Sequence, residues 1–257
     1  MDLMLKGKVA MISGGSRGIG LCIARDLAAE GCHLVISARG KEGLKQAVEE
    51  INRQGGGRAM AFTGDVIQRG VPEAFLQETL AAHGGVDILV NNVGGAEPKR
   101  LPETTDDDWQ KAFEQNLFQA VRLSRLVLPE LKKRGGGSIL NIASIAGRES
   151  GSAMTYNAAK AAMISFSKAL AQETAKDNIR VNSLAPGSIL FPGGVWERRI
   201  AAAPDGLRGF IASSLPFGRF GRPEEISAVA VFMVSPRASL VHGACWNVDG
   251  CQSRSNI

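Results

Sequence analysis

The stretch "KVAMISGGSRGIGLCIARDLAAEG", residues 8–31, decides how this chain is to be read. An apolar, strand-like run ends in a turn carrying Gly14, Gly18 and Gly20, spaced G-x3-G-x-G. An amphipathic helical pattern, "LCIARDLAAEG", follows at once. Strand, glycine turn and helix in that order let the backbone approach a pyrophosphate, which then rests on the free N–H groups opening the helix. The same residues also fit G-x-S-x-G, the nucleophile elbow of serine hydrolases, with Ser16 as nucleophile and Asp205 and His242 as partners. That reading is the weaker one, because Ser16 follows the first strand and leaves no earlier strand loop to supply an oxyanion donor.

Outward from this unit, short β-branched runs alternate with longer amphipathic segments. "HLVISAR", "GRAMAFTG", "VDILVNN", "GSILNIAS", "IRVNSLAPG" and "ACWNVDG" join "KVAMISG" as predicted strands. Residues 20–31, 41–54, 70–83, 106–133, 155–176 and 223–235 are predicted helices. Near-continuous apolar strands separated by helices imply a parallel sheet covered on both faces. The expectation is an α/β fold, a single Rossmann-type doubly wound sheet spanning residues 1–257 as one domain. The segment 187–222, rich in Gly, Pro, aromatics and Arg, breaks the rhythm after the sixth strand and is expected to be a substrate lid. Trp196, Phe191, Phe210 and Phe217 would make it apolar, with Arg198 and Arg199 at its edge.

Composition narrows the class. No apolar run approaches the roughly 20 residues needed to cross a membrane, and the N-terminus shows no cleavable signal pattern. Cys22, Cys32, Cys245 and Cys251 lack metal-ligand spacing and read as reduced, packing thiols, so a cytoplasmic protein without a metal is expected. The net charge of +5 invites a nucleic-acid reading. The basic residues are dispersed, however, and the densest cluster, Lys132-Lys133-Arg134, ends a predicted helix, where cations suit the helix dipole. A polyanionic small molecule suits the charge as well as a nucleic acid does, and no nucleic-acid partner is expected.

The second strand narrows the dinucleotide. A reader of NAD usually places a carboxylate after that strand to bond the ribose 2′-hydroxyl. Here the run ends Ser37-Ala38-Arg39, and Arg39 with Arg17 offers two guanidiniums for a 2′-phosphate. NADPH is therefore preferred, with NAD(H) left possible.

The chemistry points to "MTYNAAK", residues 154–160, which holds the only tyrosine of the chain. Tyr156 and Lys160 share one helical face at i,i+4 spacing. An adjacent ammonium lowers a phenol pKa and makes the tyrosine a usable acid or base. Ser144 ends the fifth strand, at the edge of the sheet where ligands bind, and can donate to the same substrate oxygen. Asn116 lies inside a predicted helix, where Asn is a mediocre former, and a water anchored beside Lys160 would explain it.

With these residues in order, the chain resembles the short-chain dehydrogenase/reductase family over nearly its whole length. The glycine turn at Gly14–Gly20, "TGDV" with Asp65 and Val66, and "NNVG" at 91–94 match its segments. So do Asn116, Ser144, Tyr156 and Lys160 as its tetrad, then Pro186-Gly187, "GRFGRPEEI" and "WNVDG". The resemblance implies a dinucleotide held by Gly14, Ser16, Arg17, Gly18, Ile19, Gly20, Arg39, Asp65, Val66, Asn92, Gly94, Tyr156, Lys160, Pro186, Gly187 and Ile189. Three departures stand out. Val93 replaces a usual alanine, and the Ser144–Tyr156 interval is one residue shorter than common. Phe191 falls where a threonine usually bonds the carboxamide, which leaves that contact to the backbone of Ile189.

The resulting expectation is an NADPH-dependent reductase of a 3-oxoacyl-type or other small ketone. Tyr156 would be the proton donor, Ser144 the oxyanion partner, Lys160 the tuning cation and Asn116 the sustainer of proton supply. An NAD-linked alcohol dehydrogenase and a non-catalytic dinucleotide sensor are the alternatives. Sugar, steroid and hydroxy-acid substrates stay open, and the family resemblance implies a homotetramer or dimer.

Overall fold

The computed structural model describes residues 1–203 and 205–256; position 204 of the expected lid and position 257 lie outside the described residues. Seven strands form one parallel sheet: β1 (Val9–Ser13), β2 (His33–Ala38), β3 (Ala59–Thr63), β4 (Ile88–Asn91), β5 (Gly137–Ile142), β6 (Ile179–Pro186) and β7 (Cys245–Val248), in the order β3-β2-β1-β4-β5-β6-β7. The chain runs outward from β1 to β3 and returns to start β4 on the other side of β1. That reversal opens a crevice at the carboxyl ends of β1 and β4.

Strand alternation explains both covered faces. Ala10 and Ile12 of β1, Leu34 and Ile36 of β2, and Ile88 and Val90 of β4 point to one side. There they pack on helices α1 (Gly18–Ala29), α2 (Lys41–Gln54) and α9 (Pro223–Val234), through Ile23, Leu27, Leu44, Ile51, Ile226 and Met233. Met11, Val35 and Leu89 point to the other side. They meet α3 (Val71–His83), α5 (Gln119–Lys133) and α6 (Met154–Thr174) through Phe75, Leu76, Leu123, Val127, Leu131 and Leu170. Because successive strand residues face opposite ways, a strand buried on both sides is apolar at most of its positions. Burying each such side chain contributes about 1.5–3 kcal/mol.

Three expectations are refined. The helix predicted over 106–133 is divided into α4 (Asp106–Phe113), a π-helical turn at Glu114–Phe118, and α5. The segment expected to be a lid contains two short helices, α7 (Val195–Ala202) and α8 (Gly206–Ser214). Each is too short, and too closely flanked by Gly and Pro, to show a helical period in the sequence. Finally, not every cysteine is a packing residue: Cys22 and Cys32 are buried, Cys245 is half-buried, and Cys251 is exposed on a left-handed backbone at φ +64°.

The basic cluster is answered by acids of the same chain. Lys132 pairs with Asp177 at 2.8 Å, Lys133 with Glu130 at 2.7 Å, and Arg134 with Asp87 at 2.9 Å. Among the described residues, no helix is long and apolar enough to cross a membrane. No group of three or more His, Cys, Asp or Glu among them is placed to hold a metal ion.

Candidate active site

The glycine turn lies at the mouth of the crevice. Gly14 and Gly18 take φ of +71° and +55°, which L side chains rarely adopt. A Cβ on Gly20 would stand 2.3 Å from the Gly14 carbonyl oxygen, so only glycine lets α1 begin this close to the turn. Asn92, just past β4, locks the same turn. Its Nδ2 donates to the Gly14 carbonyl at 3.0 Å, and its backbone N–H donates to the Ser13 hydroxyl at 3.1 Å. Arg17 is the N-cap of α1 and no side chain caps that helix. Its opening N–H groups thus belong to a cradle of the kind that holds a phosphate.

The remaining cofactor candidates surround this cradle. Ser16 and Ile19 flank Arg17 and Gly18 within the turn. Arg39, exposed after β2, approaches the Asp65 carboxylate to 3.9 Å. Val66 is buried beside Asp65, whose carboxylate accepts the Ile67 N–H at 3.2 Å. On the other flank, Pro186 ends β6, and Gly187 follows it with its N–H on the Val248 carbonyl at 3.2 Å. Ile189 is buried and forms a parallel bridge with Gly221. The residues fit a dinucleotide phosphate: a glycine-rich turn, an uncapped helix start and two nearby guanidiniums. Phe191 lies against this turn, its ring 2.5 Å from where a Gly18 Cβ would stand.

The catalytic candidates gather at the carboxyl end of β5. Ser144 caps the short 3-10 turn Ile145–Gly147, its hydroxyl accepting the Ala146 N–H at 3.1 Å. It also bonds the Tyr156 phenol and lowers its pKa, but burial is the stronger effect and pushes the phenol up. Desolvation thus opposes the lowering that the sequence leads one to expect from Lys160. Lys160 is itself buried, and burial brings its pKa down to about 7. Its Nζ lies 5.7 Å from the centre of the tyrosine ring and donates to the Ile142 carbonyl at 2.7 Å.

Asn116 sits in the π-helical turn, with its amide engaged by backbone. Oδ1 accepts the Gly95 N–H at 3.0 Å, while Nδ2 donates to the Gly95 and Ala112 carbonyls, each at 2.9 Å. The expected water-anchoring role therefore does not fall to its side-chain amide, which clamps the loop after β4. Gly94 has to be small for this arrangement: a Cβ there would stand 2.8 Å from Asn116 Oδ1 and 3.1 Å from Lys160 Nζ.

Sequence reasoning missed a buried polar ladder beneath the site. Asn91 donates to Asn141 at 2.8 Å, Asn141 to Ser167 at 2.8 Å, and Ser167 to the Met163 carbonyl at 2.7 Å. The available signal was asparagine within two apolar strands, a residue type depleted there. The lid aromatics also regroup. Trp196, Phe210 and Phe220 cluster with ring centres 4.4–5.9 Å apart, whereas Phe217 is 68% exposed and stands outside. The hydrolase alternative fails on placement. His242 receives the Val181 N–H at 3.1 Å near the start of β6, at the opposite end of the parallel sheet from Ser16.

The fold and this constellation define a dinucleotide-dependent oxidoreductase class, and comparison with known proteins agrees. The sequence profile of the family described as enoyl-(acyl carrier protein) reductase matches residues 14–251. A 3-oxoacyl-(acyl-carrier-protein) reductase of Chlamydia muridarum is 34% identical, covering 97% of this chain and 99% of that protein. Dehydrogenase/reductase SDR family member 4 of Oryctolagus cuniculus is 36% identical, covering 96% and 94%. The crystal structure of L-sorbose reductase from Gluconobacter frateurii, complexed with NADPH and L-sorbose, superposes with a TM-score of 0.93 at 37% identity, covering 99% of this chain and 100% of that one. The chain belongs to the short-chain dehydrogenase/reductase family, enzymes that interconvert carbonyls and alcohols.

Proposed function

We propose that the protein is an NADPH-dependent carbonyl reductase, one domain over residues 1–257, that converts a small ketone of 3-oxoacyl or similar type to a secondary alcohol. The observation that carries this reading is the placement of the half-buried Tyr156 phenol between the Ser144 hydroxyl and Lys160 Nζ, which lies 5.7 Å from the ring centre, with desolvation holding the phenol pKa up. A phenol of raised pKa keeps its proton until a stronger base appears, and a carbonyl oxygen gaining negative charge is such a base. When bound, the dihydronicotinamide would supply the hydride. Tyr156 would then release its proton to the forming alkoxide, and Ser144 would donate to the same oxygen. Lys160, with a pKa of about 7, is poised to pass a proton back toward the phenolate at neutral pH. Asn116 and Gly94 shape the space around Lys160 Nζ.

Arg17 and Arg39, with no carboxylate at the end of β2, support a 2′-phosphate and hence NADPH over NADH. The NADPH complex of the sorbose reductase supports the same choice. Four unpaired thiols suit a reducing cytosol. β7 ends the sheet, and Trp246 and Leu240 are exposed beside it, which supports assembly into a homotetramer or dimer. The decisive experiment follows NADPH consumption across a panel of 3-oxoacyl thioesters, sugars, steroids and oxo acids, with Tyr156→Phe as control. Turnover of at least one ketone, abolished in the variant, is expected. A variant as fast as the parent protein would sink the mechanism.

A further inference from the structure

The C-terminal segment after β7 lies between the two loops that flank the site. Gln252 grips the loop after β6 with both ends of its amide. Its Oε1 accepts the Ser188 N–H at 2.7 Å, and its Nε2 donates to the Ser188 hydroxyl at 2.9 Å. Ser188 is buried, and a Cβ on Gly187 would stand 2.7 Å from the same Gln252 oxygen. One residue on, Ser253 donates from its hydroxyl to Glu149 Oε2 at 3.1 Å, and the Arg254 N–H donates to that oxygen at 2.8 Å. Glu149 belongs to the loop that follows Ser144. The Glu149 carbonyl and the Ala146 carbonyl both accept from Asn157 Nδ2, at 2.7 and 2.8 Å. Asn157 is the neighbour of Tyr156 on α6.

The turn itself is held by one carboxylate. Asp249 accepts the Cys251 N–H on Oδ1 at 3.0 Å and the Ser253 N–H on Oδ2 at 2.9 Å. Gln252 and Ser253 therefore reach their two partners from a braced support rather than from a free tail. Hydrogen bonds run without a gap from Ser188, beside Ile189, through residues 252 and 253 to Glu149 and on to the helix of Tyr156.

We infer that Gln252 and Glu149 are the two anchors of a C-terminal strap that sets the spacing between the loop at Ser188-Ile189 and the Ser144–Tyr156 pair. Both are positioning residues that act through Ser188 and Asn157. The inference rests on the proposed function for its catalytic meaning, with the carboxamide contact expected at the backbone of Ile189. Its mechanical content does not depend on any cofactor. A strap with two anchors fails as a unit, so loss of either anchor loosens both loops, and loss of the second adds little.

The test uses Gln252→Met, Glu149→Met and the double variant in the full-length protein, with Glu149→Gln as the conservative change that keeps an acceptor oxygen. Hydrogen–deuterium exchange is read at residues 145–153 and at 187–190. Gln252→Met is expected to speed exchange at 145–153, the far end of the strap, and Glu149→Met at 187–190. Glu149→Gln should retain the protection. In NADPH titrations each Met variant should weaken binding about tenfold, as expected from removing two hydrogen bonds, and the double variant should be no worse than the weaker single. Exchange faster only at the mutated end, or affinity losses that multiply, would overturn the strap. If the parent protein binds no NADPH while exchange still propagates across the strap, the functional reading fails and the strap stands.

Discussion

Lys160 directs its ammonium to the Ile142 carbonyl at 2.7 Å, while its Nζ stays 5.7 Å from the centre of the Tyr156 ring. The buried Lys160 Nζ thus lies over the aromatic face and holds a backbone oxygen at the end of β5. Burial dominates both groups in opposite senses, raising the tyrosine pKa and lowering that of the lysine to about 7. Each neutral form is favoured, which suits a pair that must trade a proton rather than hold an ion pair.

Replacing Lys160 should reveal the cost of this burial. Its folded pKa of about 7 lies below the ordinary 10.5, so between these values the unfolded chain binds more protons. Stability contributed by this group is therefore present above pH 10.5 and is lost as pH falls toward 7, with a slope of about 1.4 kcal/mol per pH unit. Lys160→Met should raise Tm relative to the parent protein at pH 6 by more than at pH 10. A Tm difference independent of pH would contradict the assignment. Activity should fall in the same variant at every pH.

Ser144→Ala should move the tyrosine titration. Ser144 is the group that opposes the burial effect, so its loss should carry the phenol pKa further up. Because Tyr156 is the only tyrosine, ultraviolet difference absorbance follows it without interference. The reductive rate should fall by about 10²-fold with the oxyanion donor gone. An unmoved titration would show that the two hydroxyls do not interact.

Glycine substitutions should separate the phosphate cradle from ordinary helix glycine. Gly20→Ala places a methyl group 2.3 Å from the Gly14 carbonyl and 2.5 Å from Asn92 Nδ2. Backbone has to give way, so Tm should drop and NADPH affinity fall by about tenfold or more. Gly43, inside α2 with nothing near its missing Cβ, is the control. There Ala should stabilise by about 0.5–1 kcal/mol. A Gly20→Ala protein as stable and as tight as the parent would remove the cradle from the site.

Arg39→Asp should reverse cofactor preference. The guanidinium is exposed and touches only the edge of Asp65 at 3.9 Å, so little stability depends on it. A carboxylate in its place repels a 2′-phosphate and can bond a 2′-hydroxyl instead. The ratio of kcat/KM for NADPH over NADH should fall by about 10²-fold, with Tm within a degree or so of the parent. An unchanged ratio would assign phosphate recognition elsewhere.

The sheet and its order of motifs were legible in the linear pattern because strand burial on both faces writes itself as continuous apolar runs. All seven predicted strands occur, and β1, the glycine turn and α1 stand where "KVAMISGGSRGIGLCIARDLAAEG" puts them. Asn116, Ser144, Tyr156 and Lys160 were legible as candidates through their order and spacing, which resemble the family pattern, and the fold sets Lys160 Nζ over the Tyr156 ring with Ser144 beside the phenol. The π-helical turn at Glu114–Phe118 was not, since the same apolar period serves α- and π-geometry over so few residues. The two helices within 187–222 were hidden because each is short and flanked by glycine or proline.

What the sequence determined by itself was the architecture and the choice of candidate groups, both of which depend on period and residue type. Only the tertiary structure decided the sign of the Tyr156 shift, the backbone engagement of Asn116 and the reach of Gln252 to Ser188, 64 positions away along the chain. Desolvation and long-range hydrogen bonds are properties of the packed neighbourhood. A spacing of i,i+4 brings Lys160 to the side of Tyr156, but the burial of both groups governs which of them carries charge.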